Sequence, residues 1–324
     1  MGTTIGRASV LGAATLALIL AGAGAPAPAA AADEPEACRQ VRFSDVGWTD
    51  ITSTTALASV VLEGLGYEPS TQVLSVPVTY VSLKNGDIDV FLGNWMPTMA
   101  ADIEPYAKDG SVETVGANLE GAKYTLAVPQ YVYDAGVKSF ADIARHADEF
   151  GGRIYGIEPG NDGNRLILDM IERDAFGLSG FELVESSEQG MLSQVDRANR
   201  RQEWVVFLGW EPHPMNKNFD LAYLEGGDEF FGPDLGGATV YTNVRAGYLD
   251  ECPNVGKLLK NLQFSLEMEN EVMGAILDEG RDPNEAARDY LTRNPEVLET
   301  WLDGVTTFEG EEGLPAVKEA LGAS

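Results

Sequence analysis

The chain has 324 residues, and 51 acidic against 22 basic residues give it a formal net charge of −29. So negative a surface repels phosphate backbones and excludes nucleic acid as a partner, although the charge says little about the fold. The two histidines and two cysteines lie far apart without ligand spacing, which argues against a metal site.

The first 32 residues have the layout of a secretory signal peptide. Arg7 precedes an apolar stretch over 8–22, and small residues follow up to Asp33. The stretch is shorter than the about 20 residues that a membrane-spanning helix needs. We therefore expect residues 1–32 to be cleaved and the mature chain to be soluble in the periplasm. An uncleaved N-terminal membrane anchor is the alternative.

The remaining part of the chain alternates strand-like runs with helical patterns as far as residue 208. This order predicts α/β layers with largely parallel sheets. From Pro253 onward the pattern changes to successive helices, broken at glycine and proline. The predicted strands are 41–46, 72–76, 89–93, 124–128, 153–157, 181–185 and 204–208. The predicted helices are 51–65, 78–84, one from about residue 97, 140–150, 163–176 and 188–200.

Cys38 and Cys252 are the two cysteines of the chain. In an exported protein a lone pair most often forms one disulfide, here between segments more than 200 residues apart. Two free thiols are the alternative.

Three of the five tryptophans stand at the ends of strand-like runs, where open α/β sheets place their ligands. These are Trp48, Trp95 and Trp210. The last two close the similar segments VFLGNW and VFLGW, which suggests two similar lobes. Trp204 lies inside a predicted strand and Trp301 inside a predicted helix, so both are interpreted as core.

Exposed indole faces at one site favour a particular ligand chemistry. A trimethylammonium group has no N–H to donate and spreads its charge over methyl groups. Aromatic faces offer both apolar contact and a negative quadrupole, and aromatic cages are the known solution for choline. The strand-end tryptophans therefore predict a site for a quaternary-ammonium compound.

Five segments, spread over essentially the whole mature chain, resemble the choline-binding members of the glycine betaine/choline substrate-binding family of ABC importers. Together they are specific, whereas a single GW or NWMP would not be. The segments are FSDVGWTDI (43–51), VFLGNWMPTM (90–99), AKYTLAVP (122–129), GIEPGNDGN (156–164) and FLGWEPHPMN (207–216).

The resemblance implies an α/β, two-lobed type II periplasmic-binding fold with a discontinuous first domain and the ligand in the interdomain cleft. It also implies choline as ligand and a membrane permease as partner, with no cofactor. The positions that match the aromatic box of the family are Trp48, Trp95, Tyr124 and Trp210. Asp50 and Asn161 match positions that meet the hydroxyl end of the ligand, and Cys38 and Cys252 match a disulfide.

Chain order then predicts residues 38–121 and 224–324 as the first lobe and 122–223 as the second. Each lobe supplies only part of the cage, so we expect ligand binding to favour closure. We expect the protein to be a monomer.

Three of these residues have simpler interpretations that the sequence leaves open. Asp50 precedes a helical pattern and is a candidate N-cap. Asn161 lies in the PGNDGN turn before a helix, where turn geometry alone accounts for it. Tyr124 opens a strand and is a candidate core residue.

Asp50 favours choline over its relatives. A carboxylate accepts the hydroxyl hydrogen of choline, whereas the carboxylate of glycine betaine would be repelled in a closed cleft. The turn at Asn161 is the counter-argument, because helix N-termini favour anions. Glycine betaine or carnitine is therefore the alternative ligand.

An exported α/β hydrolase is a distant alternative class. The sequence has no G-x-S-x-G elbow and no P-loop. No nucleophile accompanies either histidine, so we expect no enzymatic activity.

Overall fold

A computed structural model describes residues 1–2 and 34–322 of the chain. Residues 3–32 of the predicted signal peptide lie outside the described residues. The strands are β1 Gln40–Asp45, β2 Glu68–Val73, β3 Val90–Met96, β4 Val112–Pro129, β5 Arg153–Tyr155, β6 Glu182–Val184, β7 Phe207–Glu211, β8 Leu221–Tyr223 and β9 Gly237–Arg245. The helices are α1 Thr49–Gly64, α2 Val76–Asn85, α3 Ala100–Asp109, α4 Gln130–Asp134, α5 Phe140–Ile143, α6 Asp162–Glu172, α7 Glu188–Arg201, α8 Met215–Asn218, α9 Asp228–Phe231, α10 Pro233–Gly236, α11 Tyr248–Glu251, α12 Pro253–Asn261, α13 Leu266–Leu277, α14 Pro283–Arg293, α15 Val297–Trp301 and α16 Gly313–Leu321.

The strands of the described part form one mixed sheet in the order β2-β1-β3-β9-β4-β7-β5-β6, with β8 added to β4. Both outer parts are parallel, because β1 pairs with β2 and β3, and β5 pairs with β6 and β7. The middle is antiparallel, because β4 pairs with β7, β8 and β9, and β9 also pairs with β3. The prediction of largely parallel sheets is wrong for this middle part.

Two strands, β4 and β9, connect the two halves of the sheet. The first part of β4, up to Lys123, pairs with β9, and its last part pairs with β7 in the other half. The β4–β9 register shifts three times between Thr114 and Ala122. Such irregularities bend and twist a strand pair, so the chain passes between the halves through ordered but bent strands.

Helix α1 lies in the first half and is buried along almost its whole length. Its small side chains, including Ala56, Ala58 and Ser59, let it pack closely against α13, α14 and α16. The helix begins at Thr49, with Trp48 as N-cap. Asp50 therefore lies in the first turn and is not the N-cap residue.

The chain after Pro253 folds into the predicted series of helices, and Trp301 of α15 is buried as predicted. Trp204 lies before β7 rather than inside it, and it is only half-buried against His146 and Phe150. Cys38 and Cys252 form the predicted disulfide, with Cα atoms 5.6 Å apart. No helix in the described residues has the length and apolar character needed to cross a membrane.

Candidate functional site

A small cavity, with about 240 Å³ of space between its atoms, lies at the junction of the two halves. Each side chain that lines it is at most 6% exposed, so the cavity is enclosed by protein. The lining residues are Trp48, Asp50, Trp95, Tyr124, Ile157 and Trp210. Five of them are sequence-predicted site residues. The sixth predicted residue, Asn161, is not in the lining.

The strands and the end of one helix position the four rings. Trp48 precedes α1, and Trp95 and Trp210 are the next-to-last residues of β3 and β7. The predicted ends of these two strands, at residues 93 and 208, were therefore three residues too early. Tyr124 of β4 stands directly opposite Trp210 of β7 in the ladder. Neighbouring residues in such a ladder project to the same side of the sheet, which brings these two rings together.

Three of the four rings meet edge to face at the cavity. The centroid of Tyr124 lies 6.0 Å from that of Trp95 and 6.3 Å from that of Trp210, with interplanar angles of 62° and 81°. Crossed rings expose their faces to a shared space instead of stacking on each other. A compact group in that space therefore contacts ring faces from several directions.

Asn161 lies behind Tyr124. Its Oδ1 accepts a hydrogen bond from the Tyr124 hydroxyl at 2.9 Å and another from the Asn164 backbone N–H at 3.0 Å. The second bond makes it the N-cap of α6, so the turn interpretation is correct and the residue also orients a cavity ring. Gly163 permits this approach, because a Cβ there would lie 2.0 Å from the Tyr124 Oη.

Asp50 is the acidic side chain in the cavity lining. Its Oδ2 accepts a hydrogen bond from the Trp95 indole N–H at 3.0 Å, while Oδ1 is buried with no hydrogen-bond partner among the described residues. Burial, reinforced by the negative charge of Glu188, raises the pKa of Asp50 to about 8, against the opposing effect of the Trp95 hydrogen bond. The carboxyl group is therefore short of positive partners.

Other acidic groups surround the cavity. Glu158 Oε1 accepts the Trp48 indole N–H at 2.7 Å, and burial raises the pKa of Glu158 to about 7. Burial also raises the pKa of Asp162 to about 6. Glu269 is buried beyond α1, where desolvation and the charge of Asp50 hold its pKa well above the ordinary value. Such an excess of buried carboxyl groups favours a bound cation.

Sequence reasoning missed Ile157, Glu158, Glu188 and His213. Ile157 gives the cavity an apolar contact between the rings. The ring of His213 packs edge-on against Trp210 at 4.8 Å. His213 is only three residues from Trp210, which was the one available signal. Acidic residues are abundant in this chain, so no feature of the sequence distinguished Glu158 and Glu188 from the others.

Metal binding has no support in the described residues. The one group there with suitable spacing comprises Glu34, Cys38 and Cys252. Its two cysteines share a disulfide, so they cannot supply thiolate ligands.

The arrangement suits capture of a small methylated cation. Ring faces and Ile157 provide apolar contact, and the carboxyl groups provide negative potential. An enclosed ligand cavity between two α/β halves, joined by two crossing strands, defines a two-lobed solute-binding protein. Comparison with known proteins then identifies the family.

The model of the OpuAC family, the substrate-binding domain of ABC-type glycine betaine transport systems, matches residues 39–293, and the chain belongs to this family. A choline-binding protein of an ABC transporter, solved with choline, is 67% identical over 89% of this chain and 100% of its own, with a TM-score of 0.88. An unliganded semi-closed choline-binding protein has the same identity and coverage and a TM-score of 0.82. Lactococcal OpuAC with glycine betaine is 27% identical over 81% of this chain and 98% of its own, with a TM-score of 0.73.

Family membership confirms the predicted fold class and the general function. The protein is a substrate-binding component of an ABC transporter and delivers its ligand to a membrane permease. It is not an enzyme, so the hydrolase alternative is wrong. Proteins of this class normally work outside the cytoplasm.

Proposed function

We propose that the protein captures choline for an ABC importer. The observation that carries this proposal is the enclosed cavity, where four aromatic rings converge beside one buried carboxyl group. The 67% identity to a protein solved with choline supports the same ligand. Export to the periplasm is part of the proposal and is supported by the signal-like layout of residues 1–32.

In this proposal Trp48, Trp95, Tyr124 and Trp210 contact the methylated ammonium. Each desolvated ring contact contributes about 1–2 kcal/mol. Four rings with methyl burial support micromolar affinity, about −8 kcal/mol, after the costs of association. Asp50 balances the charge, and its unpartnered Oδ1 accepts the hydroxyl hydrogen of choline. Contact between Asn161 and the ligand stays a prediction, whereas its bond to Tyr124 supports an orienting role.

The site assembles from both lobes. In the predicted division, the first lobe (38–121 and 224–324) supplies Trp48, Asp50 and Trp95. The second lobe (122–223) supplies Tyr124 and Trp210. We place the return crossing in β9 rather than at residue 224, because Phe231 of α9 packs against Phe140 of the second lobe. The higher TM-score with the choline complex than with the semi-closed form supports reading the enclosed cavity as the closed state.

The raised pKa of Asp50 changes how choline is distinguished from glycine betaine. Near neutral pH the carboxyl group of the empty closed cavity is largely protonated, since its pKa there is about 8. The charge argument against betaine therefore applies only once the group ionises. Choline favours ionisation, so its affinity should rise with pH up to about 8. The carboxylate of betaine disfavours ionisation, so its affinity should stay level below about pH 8 and fall as pH rises above that value.

Calorimetric titration with choline, glycine betaine and carnitine, at about pH 6 and about pH 9, tests the proposal. Choline should bind most tightly, and its lead over betaine should widen at the higher pH. Betaine that displaces choline with comparable affinity at both pH values would overturn the assignment of choline as the preferred ligand. Absence of binding by all three would refute a quaternary-ammonium site.

A further inference from the structure

Glu188, the first residue of α7, is a buried acid outside the cavity lining. Its side chain is 0% exposed. The carboxylate accepts hydrogen bonds from the Thr49 backbone N–H at 2.8 Å, the Thr49 hydroxyl at 2.6 Å and His213 Nε2 at 3.2 Å. Thr49 and Glu188 belong to different lobes in the division proposed above, so the two bonds from Thr49 cross the cleft, whereas the His213 bond lies within the second lobe.

Helix α1 needs this acceptor. Its N-cap residue, Trp48, makes no side-chain capping bond. The N–H of Thr49 is therefore one of the unpaired donors that every helix N-terminus carries. Glu188 supplies the acceptor from the other lobe and places a negative charge at the positive end of the helix dipole. Trp48 and Asp50 flank the capped residue, so the bond fixes the backbone of two cavity residues.

The same carboxylate reaches a third cavity residue through His213. The Nδ1 atom of His213 accepts the Met215 backbone N–H at 2.9 Å, so Nε2 carries the hydrogen that is donated to Glu188. The His213 ring packs against Trp210. Glu188 is thus hydrogen-bonded both to the start of α1 in one lobe and to His213, which packs against Trp210, in the other.

Two further contacts cross the cleft but are more open to water. Arg165 donates to Thr98 O at 3.1 Å and to Asp102 Oδ2 at 2.5 Å, and its side chain is 41% exposed. Glu158, which accepts the Trp48 indole N–H, is half-buried. Solvent weakens such exposed pairs, so the fully enclosed Glu188 contact is the strongest candidate for holding the lobes together.

We propose that Glu188 is a positioning residue for ligand capture: it caps α1 across the cleft and so sets how long the closed form holds its ligand, without touching that ligand. The inference rests on the proposed function and adds the element that controls release. Separation of the lobes breaks the two bonds from Thr49 and hydrates the carboxylate of Glu188, whereas the bond from His213 stays within the second lobe. Loss of the cap therefore speeds dissociation equally for every ligand that fits the cage.

Stopped-flow tryptophan fluorescence with choline and tetramethylammonium tests this on the full mature protein. Glu188→Gln keeps the size of the side chain but removes one acceptor and the charge. Its dissociation rate should rise by about tenfold or more for both ligands, as expected when a buried charged partner is lost. Association should stay within about threefold. Asp50→Asn, which alters a cavity residue, should instead change the ratio between the two ligands, because only choline has a hydroxyl group.

Thr49→Val is the matched variant on the other lobe. It removes the hydroxyl donor, keeps the shape, and should also raise both dissociation rates. It carries the test if Glu188→Gln fails to fold. Unchanged dissociation in the folded variants, or a loss confined to one ligand, overturns the proposal. A lower melting temperature of the ligand-free protein with unchanged dissociation also overturns it, because that is the signature of a purely structural residue.

A wild-type protein that binds neither ligand would refute the proposed function. The role of Glu188 in holding the lobes together is then tested without ligand. Spin labels at Glu104→Cys on α3 and Glu172→Cys on α6 report the distance between the lobes in the ligand-free protein. Both sites are exposed, and the described residues contain no free cysteine to compete for label. Adding Glu188→Gln should shift the distance distribution toward longer values. An unchanged distribution overturns the proposal.

Discussion

Asp50 shows how one residue can cost stability in order to serve a ligand. Its pKa in the fold, about 8, lies above the unfolded value of about 3.9. Between these values the folded protein holds a proton that the unfolded chain has released. The contribution of Asp50 to the free energy of unfolding therefore falls as pH rises from about 4 to about 8.

Asp50→Asn should remove this pH-dependent fall in the free energy of unfolding. Urea unfolding of the ligand-free protein at about pH 5 and about pH 8.5 measures it. Other buried acids titrate in the same range, so the informative quantity is the difference between wild type and variant. We expect the wild type to lose more stability than the variant between the two pH values. Equal losses would show that Asp50 is already ionised in the empty cavity.

Trp210 is the ring whose loss should be most informative, because it packs against both Tyr124 and His213. Trp210→Ala should weaken choline binding by about 1–3 kcal/mol, through lost ring contact. Trp204→Ala is the matched control, since Trp204 lies only a few residues away but contacts His146 and Phe150 instead of the cavity. If calorimetry finds the same loss of choline affinity in both variants, the result would argue against the aromatic cage.

At the scale of elements, the start of α6 has to lie close to β4. Gly163 makes this possible, because any side chain there would occupy the position of the Tyr124 hydroxyl. Gly163→Ala should displace Tyr124 and weaken choline binding by about tenfold or more, since overpacking costs about 1–3 kcal/mol. Gly274→Ala in α13 is the control, because a Cβ there meets no atom within 4 Å. Wild-type affinity in Gly163→Ala would show that the tyrosine adapts without loss.

Sequence periodicity predicted the elements that are apolar and regular, and it missed those that cross between lobes. The first half of β4, Val112–Gly121, alternates half-buried and exposed residues over 113–117 and carries two glycines, so it does not resemble a buried parallel strand. β9 alternates half-buried and buried residues over 237–242 and was also missed. Both owe their structure to pairing with each other, which local sequence does not encode.

The candidate site was predictable to a similar degree. Strand ends and family resemblance indicated the rings, because their positions follow from chain order. The partners of those rings, such as Glu158 for Trp48, come from segments more than 100 residues away. Among 51 acidic residues, only the folded arrangement distinguishes a buried carboxylate from a solvated one.

At the scale of the whole molecule, the disulfide stabilises the fold apart from the site. Neither Cys38 nor Cys252 lines the cavity. Replacing both with serine should lower the free energy of unfolding by about 2–5 kcal/mol, because the bridge restricts the unfolded chain. Choline affinity should remain unchanged as long as the protein is folded. A large loss of affinity, measured well below the melting temperature, would show that the bridge also shapes the cleft.

The same bridge has a consequence for biogenesis. Its partners are 214 positions apart, so during N-to-C synthesis and translocation Cys38 emerges long before Cys252. Until then an oxidant can only join Cys38 to a foreign thiol, and thiol–disulfide exchange must later reverse that error. The yield of correctly bridged protein thus depends on the timing of oxidation relative to passage of nearly the whole polypeptide.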